Sequence, residues 1–150
     1  MMRQATFDEV APLYGRKLLV ERCLLATAKV QSGEPLSQVD KESMKKLEIE
    51  LSNVEKAQRK SQVASLTTDE ASSVQTIVEP LIEARLISNI PELKQYLEKL
   101  SQAVRRVAKG AKLSAADEST LLRFLGIMSS NVSQYLNAVT EKNTAFARSR

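Results

Sequence analysis

GEPLSQVD at residues 33–40 and GAKLSAAD at residues 110–117 are two related octets, and they decide the fold class. Each begins with a glycine, which can adopt the left-handed conformation that ends a helix. Each continues with a leucine and a serine, and an aspartate stands three residues after the serine, as in the capping box that opens a helix. Each octet is therefore predicted to join two helices into an αα-hairpin.

The similarity of the two octets extends into the residues that precede them. Four further pairs of identical or similar residues have the same separation of 77 positions: Glu21/Glu98, Ala26/Ala103, Lys29/Arg106 and Val30/Val107. An internal duplication would explain this agreement, and so would two independent uses of a common connector. The sequence leaves both explanations open.

The composition agrees with a helical protein. The chain has 150 residues, of which 43% are hydrophobic, and contains only four glycines and four prolines. A sheet protein would need more of these turn-forming residues, and the length suits one domain with one core. We expect a single all-α domain over residues 1–150.

The first three helices are predicted from prolines, caps and apolar spacing. Helix 1 should run from Pro12 to Gln31, because a proline deeper in a helix would break it. Its apolar residues exceed one stripe, so we expect helix 1 to be the most buried element. Helix 2 begins at Ser37, and its apolar seam ends at Val54, before the helix does. Helix 3 begins after Thr67, and Pro80 in its middle predicts a kink.

Helices 4 and 5 have the clearest periodicity. Asn89 is the predicted cap of helix 4, and helix 5 starts after Ser114 with apolar residues in the heptad spacing of a coiled coil. The expected architecture is an elongated five-helix bundle made of two αα-hairpins joined by the kinked third helix. The hairpin units would cover residues 12–66 and 89–147, and the linking helix residues 67–88.

The residues for common catalytic chemistry are missing from the chain. It has no histidine and one cysteine, Cys23, so a catalytic triad, a Cys-His dyad and a thiolate zinc cluster are excluded. Cys23 is interpreted as a small buried hydrophobe. Two pairs of glutamates share helix faces, and both are interpreted as solvated surface charges: Glu79 with Glu83 and Glu48 with Glu55. We predict no enzyme activity, no catalytic residue, no metal and no cofactor.

The apolar face of helix 5 is the predicted protein-binding site. Its members recur in heptad register: Leu121, Leu125, Met128, Val132, Tyr135 and Val139. The face can serve the chain's own core, or it can pair with a partner, including a second copy in a homo-oligomer. The length of helix 5 favours a partner. The predicted function is therefore a non-catalytic interaction module that acts as a scaffold, adaptor or chaperone-like subunit.

The alternative function is association with nucleic acid through the basic C-terminal third. Residues 101–150 contain eight Lys or Arg against three Asp or Glu. Four of the cations cluster at the end of helix 4: Arg105, Arg106, Lys109 and Lys112. They could bind phosphates without reading the base sequence, or they could simply complement the helix dipole.

The expected location is cytoplasmic. The single cysteine suits a reducing compartment, and the N-terminal residues MMRQATFDEV lack the apolar core of a secretion signal. The richest apolar stretch, at residues 17–30, is too short to span a membrane.

Overall fold

The computed structural model describes residues 7–60 and 65–148, and within them the side chains of residues 14–60, 65–89 and 91–138. These residues form five helices and no strand, which confirms the all-α class, the two hairpins and the kinked third helix. The helices are α1 (Phe7–Gln31), α2 (Gln38–Gln58), α3 (Thr68–Ser73, Val74–Val78 and Glu79–Glu83 in succession), α4 (Ile90–Ala108) and α5 (Ala115–Arg148).

Both octets form the predicted turns. Gly33 has a φ of +81° and Gly110 a φ of +76°, so both occupy the left-handed region that glycine tolerates. The next residue after each glycine bonds back into the last helical turn, with Glu34 N at 2.8 Å from Lys29 O and Ala111 N at 2.9 Å from Arg106 O. This is the Schellman pattern, and it satisfies carbonyls at the helix end that would lack partners.

The helix that follows each octet begins with a serine cap, as predicted. The Ser37 hydroxyl accepts a hydrogen bond from Asp40 N at 3.2 Å, and the Asp40 carboxylate accepts one from Ser37 N at 3.0 Å. The Ser114 hydroxyl caps α5 by accepting a hydrogen bond from Asp117 N at 3.2 Å. The caps and the glycines lie within a few residues of each other, so local chemistry alone produces both turns.

The predicted start of helix 1 is wrong. Helix α1 already includes Phe7, so Pro12 is its sixth residue and not its start. A proline at this position removes only the bond that its nitrogen would donate to the carbonyl of Asp8, and the remaining turns continue to Gln31. Helix α2 ends at Gln58, one turn after Val54, so the apolar seam ends before the helix does, as predicted.

The kink in α3 is a π-helical turn over Val74–Val78, which ends two residues before Pro80. Pro80 has no N–H to offer the carbonyl of Thr76, and a π turn bonds each carbonyl to the fifth following residue instead of the fourth. The wider turn lets the chain continue as a helix past the proline. The kink predicted from Pro80 is thereby confirmed.

The two hairpins pack side by side around one continuous core. Helix α1 lies along α5 and α2 lies along α4, with α3 against α2 and α5. Gln31, at the end of α1, donates to Leu113 O at 3.3 Å and accepts from Leu113 N at 2.7 Å, so α1 and α5 run antiparallel. Among the described side chains, the largest fully buried ones come from α2, α3, α4 and α5: Phe124, Met44, Leu51, Ile77, Leu81, Leu97, Leu100, Leu121, Leu125 and Met128.

Over its described side chains, residues 14–31, helix α1 is therefore not the most buried element, contrary to the prediction. It contributes Val20, Cys23, Ala26 and Val30 to the core, while its other face carries large apolar side chains in solvent. Cys23 is fully buried, and burial raises the pKa of its thiol to about 12. The interpretation of Cys23 as a small buried hydrophobe agrees with this environment.

Candidate functional site

The structure places most of the predicted protein-binding face of α5 in the chain's own core. Leu121, Leu125, Met128 and Val132 are at most 4% exposed. Tyr135 differs, because 54% of its surface is exposed. The side chain of Val139 lies outside the described residues. Of the six predicted residues, Tyr135 is thus the one whose described side chain is open to a partner.

Tyr135 stands at the edge of a cleft between α1, α3 and α5, with a volume of about 380 Å³. Pro80, Met128 and Val132 are buried residues that form its apolar part. A volume of this size is typical of a small binding site. The remaining lining residues are polar or charged: Arg16, Gln75, Thr76, Glu79, Glu83 and Asn131.

Arg16 of α1 lies in the wall of this cleft with its charge already compensated. Its guanidinium forms an ion pair with the Glu50 carboxylate of α2, and its side chain is 12% exposed. The Nη2 atom also lies 3.8 Å from Sδ of Met128. The Arg16–Glu50 pair therefore joins α1 to α2 beneath the cleft and contributes little net charge to it.

Glu79 and Glu83 supply the uncompensated charge of the cleft. They are four residues apart on the last part of α3, so their carboxylates share one helix face, and both are exposed. Within the described part of the chain, neither carboxylate has a lysine or arginine nitrogen within 4.0 Å. The cleft is thus apolar inside and negatively charged at its α3 edge.

The π turn of α3 contributes the polar wall. It carries Gln75 and Thr76, both exposed, and the Thr76 hydroxyl donates to Ser72 O at 3.0 Å. Single π turns within helices recur at functional sites, because they alter the direction of the side chains that they carry. Here the turn precedes Pro80, so the same proline explains both the kink and this wall of the cleft.

A second exposed feature is a row of apolar side chains along the outer face of α1, which we call the α1 stripe. It consists of Tyr14, Leu18 and Leu25, whose exposed fractions are 57%, 48% and 52%. The spacings of four and seven residues place them on one side of the helix. Leu122 of α5 is 38% exposed and lies one helical turn after Glu118. Because Glu118 accepts a hydrogen bond from Gln31 of α1, Leu122 lies on the side of α5 next to α1.

Sequence reasoning missed the α1 stripe, although the signal was present. Helix 1 has more apolar residues than one buried face requires, and this surplus was interpreted as deeper burial. The structure shows that the surplus faces solvent instead. An apolar surplus in one helix can mean either outcome, and the neighbours of the helix decide between them.

The predicted basic cluster lies at the end of α4 and in the turn after it, and all four side chains are exposed. Arg105 pairs with Glu48 of α2 through Nε at 3.3 Å. Arg106 donates from Nη2 to Lys112 O at 2.7 Å, so its guanidinium closes the turn. Lys109 and Lys112 form no ion pair with any carboxylate among the described residues. Two of the four cations therefore have structural partners.

Carboxylate and thiol groups do not gather elsewhere into a metal site within the described residues. Glu48 and Glu55, the second predicted surface pair, bind α4 side chains, since Glu48 pairs with Arg105 and Glu55 accepts from Ser101 at 2.9 Å. Across the part of the chain that the structure describes, none of the helices combines the length and apolar character that crossing a membrane requires.

Comparison of the chain with models of protein families, with curated proteins and with solved structures found no match in any of the three.

Proposed function

We propose that the protein is a non-catalytic helical interaction module of a larger cytoplasmic assembly, as a scaffold, adaptor or chaperone-like subunit. The α1 stripe is the observation that carries this proposal. Tyr14, Leu18 and Leu25 expose about half of their surfaces on one face of one helix. Single exposed apolar residues are ordinary, but an aligned row of large ones is typical of a surface that a partner covers.

The spacing of the α1 stripe fits a helical or groove-shaped partner. Residues separated by four and seven positions are the usual anchors when one helix packs against another surface. Glu21 lies between Leu18 and Leu25 on the same face and pairs with Lys17 at 3.9 Å, so the centre of the stripe carries an exposed ion pair. A partner should therefore offer an apolar surface with a polar group opposite this pair.

Photo-crosslinking tests this proposal. A benzoylphenylalanine placed at position 18 or 25 should yield a discrete crosslinked species in the cells that produce the protein. The same residue at Ile49, which is 60% exposed on α2, serves as the control and should yield none. The L18E/L25E variant should lose the partner while keeping the helical content of the wild type. An equal pattern of crosslinks from positions 18, 25 and 49 would contradict the proposal.

Lys109 and Lys112 favour a second candidate function, the binding of nucleic-acid phosphates. Both are exposed and lack a described carboxylate partner. The measurement is fluorescence anisotropy of a labelled DNA duplex over a series of salt concentrations. Binding should weaken with a log-log slope of about 0.9 per phosphate contact, and the K109A/K112A variant should reduce that slope by about one contact per lysine. Binding that is insensitive to the K109A/K112A change would remove this function.

A further inference from the structure

The geometry points to the cleft between α1, α3 and α5 as a docking site for a basic side chain, a lysine or arginine flanked by apolar residues on a segment of a partner protein. This inference rests on the proposed function and assigns it a second contact surface. The arguments are the charge of the cleft, its apolar interior and the exposed tyrosine at its edge.

The charge of the cleft selects a cation. Glu79 and Glu83 are exposed at its α3 edge and have no described cationic partner. Arg16, the one cation among the described lining residues, is paired with Glu50, and only 12% of its side chain is exposed. An anionic ligand would therefore meet two free carboxylates, whereas a cationic group would meet two acceptors on one helix face.

The interior of the cleft selects a cation that is carried on an apolar stem. Met128 is 1% exposed and Val132 is 4% exposed, and together with the buried Pro80 they form an apolar inner wall. The side chains of lysine and arginine bury their methylene groups along such surfaces while the charged end stays at the polar edge. A small hydrated cation such as sodium would gain nothing from this part of the cleft.

Tyr135 and the amides complete the recognition. The Tyr135 ring is 54% exposed at the α5 edge, where its face can attract a guanidinium or an ammonium group. Gln75 and Asn131 line the cleft with side-chain carbonyls that can accept hydrogen bonds from the same cation. The cleft volume of about 380 Å³ accommodates one long side chain with its neighbours at the rim.

A peptide titration followed by NMR tests this docking site. The probe is a blocked pentapeptide, Ala-Leu-Arg-Leu-Ala, and the matched peptide carries citrulline, which has the shape of arginine without its charge. We expect the arginine peptide to shift the backbone amides of residues 75–83 and 131–135. The citrulline peptide should bind about tenfold more weakly, because it lacks the charge-assisted contacts.

Matched protein variants separate the cleft from general electrostatic attraction. E79Q/E83Q removes two charges from the cleft and should weaken the arginine peptide about tenfold. E34Q/E98Q removes the same charge from exposed positions elsewhere and should change the affinity less than twofold. Both variants replace exposed side chains with isosteric amides, and circular dichroism confirms that each remains folded.

Three results would overturn the docking site. The first is that E34Q/E98Q weakens binding of the arginine peptide as much as E79Q/E83Q does, and the second is that the citrulline peptide binds as tightly as the arginine peptide. The third is self-association of the wild type that E79Q/E83Q abolishes, since a second copy would then occupy the cleft. The proposed function fails separately. If crosslinks form at positions 18 and 25 but the peptide does not shift the backbone amides of the cleft, only the docking site is wrong. If the peptide binds and those crosslinks are absent, only the proposed role of the α1 stripe is wrong.

Discussion

At the scale of single residues, Asp40 performs two tasks at the first turn. Its carboxylate closes the capping box with Ser37 and also pairs with Lys29 Nζ at 2.7 Å, although its side chain is only 4% exposed. The hydrogen bond from Lys29, followed by the one from the Ser37 backbone, holds the pKa of Asp40 below its usual value of 3.8. One side chain thus links the end of α1 to the start of α2.

The D40N variant should lower the free energy of unfolding by about 1–3 kcal/mol at neutral pH, because it loses charged hydrogen bonds at a buried position. The pKa of Asp40 is lower in the folded than in the unfolded state, so the ionised carboxylate stabilises the fold at a pH above the unfolded-state pKa. This stabilisation is lost as the pH falls through the folded-state pKa. The difference between wild type and D40N should therefore shrink from about pH 5 to pH 3. Urea unfolding at several pH values measures it, and a difference independent of pH would contradict this assignment.

Two classes of glycine should respond oppositely to alanine. G33A and G110A should each lower the free energy of unfolding by about 1–2 kcal/mol, because alanine is strained at a positive φ. Gly126 lies inside α5 and is exposed, and apart from the adjoining residues and backbone of its own helix no heavy atom lies within 4 Å of where a β-carbon would stand. G126A should raise the free energy of unfolding by about 0.5–1 kcal/mol. Thermal unfolding compares the three, and a stabilising G33A or G110A would contradict the turn geometry.

At the scale of whole elements, the heptad pattern of α5 identifies an apolar face but does not say what covers that face. The heptads correctly marked one apolar face, and the structure shows that its central residues pack inside the chain. The heptad pattern could not distinguish an internal core from an interface, because both bury the same side chains. Tyr135 belongs to the same register, yet it lines the cleft between α1, α3 and α5 and is half exposed.

V132D should unfold the protein or lower its stability by about 3–5 kcal/mol, because it places an unpaired carboxylate at a position that is 4% exposed. Y135D is the matched control three residues further along the helix and should change stability by about 0.5 kcal/mol or less. Circular dichroism with thermal unfolding distinguishes the two. A V132D protein that remains fully helical with an unchanged Tm would show that this face of α5 is not the internal core.

At the scale of the whole molecule, the two hairpins share one core, so we expect them to unfold together. Phe124 of α5 and Leu51 of α2 are both fully buried, and each belongs to a different hairpin. F124A should cost about 3–5 kcal/mol and L51A about 2–5 kcal/mol, and each should shift one common transition in urea. Circular dichroism and tyrosine fluorescence should report the same midpoint. Two separated transitions would mean that residues 12–66 and 89–147 are independent units.

The parts of the candidate site were visible in the sequence, but their assembly was not. Glu79 and Glu83 were recognised as a pair, and Met128, Val132 and Tyr135 as one helix face. These groups are about 50 residues apart in the chain, and no local pattern predicts that α3 crosses α5 at this place. The π turn was also hidden, since Pro80 predicts a kink without specifying how the backbone accommodates it.

The sequence by itself determined the all-α class, the two hairpin turns and the kink in α3, because the interactions responsible act within about six residues. Left-handed glycines, serine caps and a proline without an N–H have the same consequence in any surrounding fold. The tertiary structure alone decided which apolar faces are covered. An amphipathic stripe requires burial without specifying its partner, and only the packing of α1 along α5 and α2 along α4 left the α1 stripe and the Tyr135 edge of the cleft in solvent.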